Sequence, residues 1–506
     1  MCEWTVCQGL NFYDAHACCK LGIMKKIFTL AALYLIGAFA MLLLAGGRAH
    51  AASLTISGGC SVNNAILSAN NDADTGGCNG SGVYGDDEIT VPSGTWNIGA
   101  AVTSEGNLTI VGAGMNDTFI DGADTYPGLT CSGAGPGLVS LGVSGLTVQN
   151  TGSGSGAYPV AAANCNLDVS QVEITDGQEG ANIYFYLDLD GVTAQLTIQD
   201  TYIHTTRGDG VSIVSSGGTV NQMDVEIDRL TVDSNNAPSQ LYGGLNIVAG
   251  GDLANAEHTV NVGVRNSTFV DSAMDDSFGI SAVAQAPSSS GANNTLQLAL
   301  ENVTIVNHSV SGYPASGLVL AAYVAPGSSG SVNATTKNVL LANNQAASGS
   351  QNCVALEVGG GGTESATITS LGNNIADDTT CNLISAGDQQ GLANIMSTLG
   401  PLQDNGGSIP TMALLTGSPA IDAGAVVAGL TIDQRGVARP QCAAYDVGAY
   451  EYDGVCAQEV VATPPSVDQT GSILLADTGE NIYFYLMLVA LLVGVSFAGL
   501  AASRRQ

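Results

Sequence analysis

Positive charge is nearly missing from this sequence. Its 506 residues hold 12 Lys and Arg against 44 Asp and Glu, for a formal net charge of −32. Residues 52–478 keep only six bases: Arg207, Arg229, Arg265, Lys337, Arg435 and Arg439. Such a body repels nucleic acid and anionic lipid, so neither is an expected partner. Aromatics are 5% and charged residues 11%, too few for the amphipathic helices of an ordinary α/β enzyme. No Gly-x-Ser-x-Gly elbow, phosphate loop or His-Glu-x-x-His stands anywhere in the chain, which removes the common motif-borne chemistries. Long apolar runs are confined to the two ends.

What is abundant is glycine, at 66 residues, and it punctuates short alternating segments. Leu196–Ile203, Val225–Val232, Val262–Phe269, Leu298–Ile305 and Ala334–Leu341 align on one polar position, held by Asp200, Arg229, Asn266, Asn302 and Asn338. A second apolar stretch follows each of the first four, at Gly210–Val214, Gly244–Val248, Gly279–Val283 and Gly317–Ala321. Alternation gives every strand one core face and one solvent face. A single such coil encloses nothing, but stacked coils bury a continuous core. The expected fold is therefore all-β, a right-handed parallel β-helix solenoid, with the recurrent Asn or Asp stacking along the axis. A β-sandwich array is the competing fold. Ala286–Asn294 and Pro326–Val332 read as exposed loops between coils.

The ends carry targeting signals. Lys25-Lys26, an apolar run from Ile27 to Ala45 and small residues around Ala49–Ala51 follow the order of a secretory signal peptide over residues 24–51. Residues 1–23 read as upstream sequence. At the other end Ile482–Ala502 is long and apolar enough for a transmembrane helix, and Arg504-Arg505 keep its end cytoplasmic. Leu475-Ala476-Asp477-Thr478-Gly479 just before it resembles the Leu-Ala-x-Thr-Gly signal of sortase transpeptidases. That resemblance implies cleavage after Thr478 and transfer to the cell wall; an uncleaved membrane anchor is the alternative. Residues 457–474, with Thr463-Pro464-Pro465-Ser466, form a spacer.

Eight cysteines remain after residue 51, an even number in an exported chain, which favours disulfides. Sequence neighbours are the natural pairs: Cys60 with Cys78, Cys131 with Cys165, Cys353 with Cys381, and Cys442 with Cys456. None has the spacing of a zinc or redox motif.

Two segments resemble bacterial surface-protein modules. Cys60-Ser61-Val62-Asn63-Asn64-Ala65-Ile66, Ala69-Asn70 and Asp86–Trp96 look like the CSLREA domain, with Val, Asn and Asn where that pattern has Leu, Arg and Glu. Physically, Asn63–Ala69 suits a short amphipathic helix capping the first coil. Asp404–Gly407, Gly417–Gly424, Asp433–Gly436, Arg439-Pro440 and Asp446–Glu451 closely resemble the choice-of-anchor Q domain, which implies a secreted β-rich body joined to a C-terminal anchor and no activity. The expected organisation is a cap with first coils over 52–130, solenoid coils over 131–395, the choice-of-anchor Q-like segment over 396–456, and the sorting signal over 475–506. Asp422, Asp433, Asp446 and Glu451 beside Arg435 and Arg439 read as ion pairs that stitch the last coil shut.

Candidate chemistry is sparse. His204, Arg207 and Asp209, with Asp275 and Asp276 one or two coils along, form the best local cluster for polysaccharide cleavage. Asp209 lies in Gly208-Asp209-Gly210, read as a turn. The acidic surplus has two open readings, solubility or Ca²⁺ held by turn carboxylates; no other cofactor is implied. The leading expectation is a bacterial cell-surface protein that binds an extracellular glycan or surface. A polysaccharide lyase or glycoside hydrolase and a structural surface-layer spacer are the alternatives.

Overall fold

The computed structural model describes residues 52–456, apart from residues 83–84, 102, 136, 153–157, 178–179, 234–241, 252, 272–276, 289–290 and 348. The expected signal peptide, spacer, sorting signal and transmembrane segment, and Asp275 and Asp276, all lie outside the described residues. Within them no helix is long and apolar enough to cross a membrane.

The chain is all-β, with two long parallel sheets of 17 and nine strands among the described residues, an arrangement consistent with a β-helix. The aligned segments pair in register as Leu196, Val225, Val262, Leu298 and Ala334, and each is 1–3% exposed. The second stretches pair as Val211, Leu245, Ile280 and Leu318 in the nine-stranded sheet. Between the sheets these rows, with Phe185 and Phe269, fill one apolar core.

The recurrent polar position has a backbone reason. Gly145, Gln171, Asp200, Arg229, Asn266, Asn302, Asn338 and Asn373 all have positive φ, between 43° and 64°. Each coil therefore turns a corner at the same level, through a left-handed residue that Asn and Gly adopt most cheaply. Side chains at this corner also bond along the axis: Asn338 Nδ2 donates to Asn302 Oδ1 at 2.9 Å, and Arg229 Nε to Asp200 Oδ1 at 2.7 Å.

Three disulfides join Cys60 to Cys78, Cys131 to Cys165 and Cys353 to Cys381. Cys442 and Cys456 are also disulfide-bonded. Helix Val62–Asn70 starts at Ser61, whose hydroxyl accepts the Asn64 N–H, and buries Val62, Ala65 and Ile66.

Two sequence expectations change. Ser329–Val332 is not loop but the start of strand Ser329–Lys337, because its small residues alternate in phase with the coil before it. The C-terminal segment does not close the last coil. It runs back along the corner row: Ser408 reaches Asp200, Pro410 O accepts from Thr231, Gln434 meets Leu230, Thr231 and Thr268, Asn302 donates to Asp446 O, and Asn338 and Asn373 donate to Ala425 O and Ala423 O. The expected ion pairs exist within this strap. Arg439 and Glu451 bond at 2.7 Å with side chains 0% and 1% exposed, and Arg435 reaches Asp433 at 2.9 Å while stacking on Tyr450.

Candidate functional site

The outer face of the long sheet carries three parallel rows of side chains, one residue per strand and roughly 4.8 Å apart. The first runs Asn107, Ser140, Asn166, Gln195, Asp224, Asn261, Gln297, Asn333, Thr367. The second runs Glu88, Thr109, Gly142, Asp168, Thr197, Glu226, Gly263, Ala299, Thr335, Thr369. The third includes Ser170, Gln199, Asp228, Arg265, Glu301 and Lys337. These are the polar positions of the alternating strands, so the period that builds the core also builds this face.

The second row dips where its side chains vanish. Around Gly142 lies a hollow of about 610 Å³ lined by Asn107, Thr109, Asn166, Asp168, Gln195 and Thr197. Around Gly263 and Ala299 lies another of about 620 Å³, lined by Asp224, Glu226, Asn261, Gln297 and Asn333. A Cβ on Gly263 would stand 2.9 Å from Glu226 Oε2. Many rims are held in place: Asn261 Nδ2 donates to Asp224 Oδ1 at 2.8 Å, Thr367 Oγ1 to Asn333 Oδ1 at 2.7 Å, and Arg265 pairs with Glu301 at 2.8 Å. Burial raises the Asp168 carboxyl above its ordinary range. The face offers amides, hydroxyls and carboxylates at fixed spacing, with little positive charge.

The candidate catalytic residues are separated. His204 Nε2 bonds Glu173 Oε1 at 2.9 Å, Thr147 holds the other Glu173 oxygen at 3.1 Å, and the imidazole stacks on Tyr202. The His204 hydrogen bond holds the Glu173 carboxyl below its ordinary value. Asp209 is not in a turn: it belongs to strand Gly208–Ser215, since its flanking glycines serve close coil packing. Its carboxylate accepts from Gly243 N at 2.7 Å and Asn246 Nδ2 at 3.3 Å, and burial pushes it up to about 6. Arg207 is exposed, and its backbone N–H donates to Gly177 O. No hydrogen bond or ion pair joins His204, Arg207 and Asp209 among the described residues. Glu173 and Thr147 had no sequence signal, because only coil register brings them beside His204. Among the described residues no group of three His, Cys, Asp or Glu is arranged to hold a metal ion.

No family model matches the chain, and no curated protein matches it. Among solved structures, the catalytic domain of a GH87 α-1,3-glucanase in complex with nigerose is 12% identical over 63% of this chain and 68% of that one, with a TM-score of 0.20. The A-module of the Azotobacter vinelandii mannuronan C-5 epimerase AlgE6 is 11% identical over 56% and 91%, with a TM-score of 0.17. Likeness at these scores carries no argument about the site.

Proposed function

We propose that this chain is a cell-surface-anchored right-handed β-helix protein that binds an extended, uncharged glycan along the outer face of its long sheet. The observation that carries the reading is the three-row polar face with its hollows at Gly142 and Gly263. A polymer that repeats its hydroxyls meets a protein that repeats its amides and carboxylates, and many weak contacts sum along one line. The net charge of −32 disfavours polyanionic glycans. The CSLREA-like and choice-of-anchor Q-like motifs and the Leu475–Gly479 sorting signal support display by a sortase-type transpeptidase outside a bacterial cell, and the disulfides fit an oxidising compartment.

The test is a glycan-array and polysaccharide-cleavage screen of the full chain, with and without Ca²⁺. Retention of a neutral glycan without new chain ends supports the reading. No retention at all favours a structural spacer. Polysaccharide cleavage is the second reading the screen can return, and Asp209, whose carboxylate accepts from Gly243 N and Asn246 Nδ2, is the acid to replace first. Product release abolished in Asp209→Asn would replace the binding reading with that one.

A further inference from the structure

The two ends of the stacked sheets are finished differently. At the N-terminal end the helix Val62–Asn70 packs Val62, Ala65 and Ile66 against the core that includes Leu54 and Ile56, and Cys60–Cys78 pins it. At the other end, strand Thr363–Ser370 pairs along one edge with Ser329–Lys337, and Cys353–Glu357 pairs along one edge with Leu318–Val324. No strand among the described residues covers their far edges. A loop tucks Cys381 and Leu383 under this end, yet Ala366 and Ile368 stay half-buried, whereas Val332 and Ala334 one coil back are 0% and 1% exposed. Leu371 and Ile384 nearby are 54% and 78% exposed.

The phase of the free edge follows from its bonds. Thr363 N donates to Ser328 O and Leu371 N to Thr336 O, so the odd-numbered N–H groups face the neighbouring coil. The N–H groups of Glu364, Ala366 and Ile368 then face outward, since successive residues alternate. An edge of this kind is a template for another strand.

We propose that Thr363–Ser370 is a self-association edge, and that two copies of this chain pair it antiparallel about a two-fold axis. Identical edges related by a two-fold axis meet antiparallel, and such a contact closes on itself. A two-fold contact uses this one edge on both copies, so pairing stops at two. Charge points to the same place. In a chain of net charge −32 this strand has one acid, Glu364. That carboxylate is turned back onto the N–H groups of Val324, Gly359 and Gly360. The strand's outward side chains, Thr363, Ser365, Thr367 and Thr369, are neutral and suited to cross-strand pairing.

The test is sedimentation velocity of the full chain over a wide concentration range, for wild type, Ala366→Pro and Thr367→Lys. Proline at Ala366 removes an outward N–H and no bond to the neighbouring coil; lysine at Thr367 places a charge on the paired edge. A reversible dimer in the wild type, weakened about tenfold or more in Thr367→Lys while circular dichroism is unchanged, is the expected result, and Ala366→Pro is expected to match it. A wild type that stays monomeric, a dimer untouched by Thr367→Lys, or open-ended oligomers would overturn the proposal. Thr367→Lys alone decides the matter if Ala366→Pro does not fold.

Discussion

Thr268 and Gln434 are 166 residues apart in sequence, yet the Thr268 hydroxyl donates to Gln434 Oε1 at 2.6 Å in a fully buried contact. Gln434 Nε2 in turn donates to Leu230 O and Thr231 Oγ1. One amide thus ties the C-terminal strap to two successive coils. Gln434→Leu should cost about 1–3 kcal/mol, because it leaves buried donors and acceptors without partners. Urea unfolding, with an unchanged slope and a lower midpoint, measures it.

The Arg439–Glu451 pair should be worth more when broken than when replaced. Both side chains are buried, and Glu451 also accepts the N–H groups of Gln441 and Asp446. Arg439→Met alone should destabilise by about 3–5 kcal/mol, since an unpaired carboxylate remains. The double variant Arg439→Met, Glu451→Leu should recover part of that loss in the same unfolding experiment.

Stability should carry a pH signature from Asp446, raised mainly by burial from 3.8 to about 7. Between those values the folded state keeps a proton that the unfolded state has released, so this group's contribution falls as pH rises and levels off above about 7. His308, lowered by burial to about 4, acts in the opposite sense as pH falls below its ordinary value. The two separate by difference. The stability of wild type minus Asp446→Asn should decline from pH 4 to pH 7 and then stay flat. A difference independent of pH contradicts the assignment.

The binding face should be removable without unfolding the body. Gly263→Leu fills one hollow, and the nearest atom its Cβ meets is the far end of the exposed Glu226 side chain, which can swing aside. Glycan retention should drop about tenfold or more, a loss of at least ~1.4 kcal/mol, with the melting temperature nearly unchanged. Isothermal titration and a thermal scan on the same sample check both halves.

Cys131–Cys165 should matter for folding rather than binding. It closes a sequence separation of 34 residues between neighbouring coils, so Cys131→Ser with Cys165→Ser should lower unfolding stability by about 3–4 kcal/mol. Glycan retention by the folded double variant should be unchanged.

The coils were legible because their signal repeats. Asp200, Arg229, Asn266, Asn302 and Asn338 align in sequence and in space, and the alternation around them marks both the core rows and the polar face. Gly145 and Gln171 occupy the same corner without an Asn or Asp to mark it and in shorter early coils, and Asn373 lies in the same corner at the far end of the row. The strap was invisible for a different reason. Its partners lie as far as 208 residues away, as in Ser408 with Asp200, and contacts of that span leave no period to read. Asp209 misled through its glycines, which signal a turn locally but in a solenoid also mark where one backbone lies against the next. The hollows at Gly142 and Gly263 needed the register, because a missing side chain means something only beside its neighbours.

The strap also decides how the body meets mechanical load. Asp453, near the C-terminal end of the strap, is gripped by Arg435 at 3.0 Å and by the Tyr450 hydroxyl. Arg435 adjoins Gln434, which grips the coils at Leu230 and Thr268. A load that reaches Asp453 therefore passes through Arg435 and Gln434 to coils midway along the stack, and is shared at once among the hydrogen bonds of several coils. Bonds loaded together in shear must fail together. A load shared this way spreads over strap contacts from Asp200 to Asn373 instead of falling on one coil at a time.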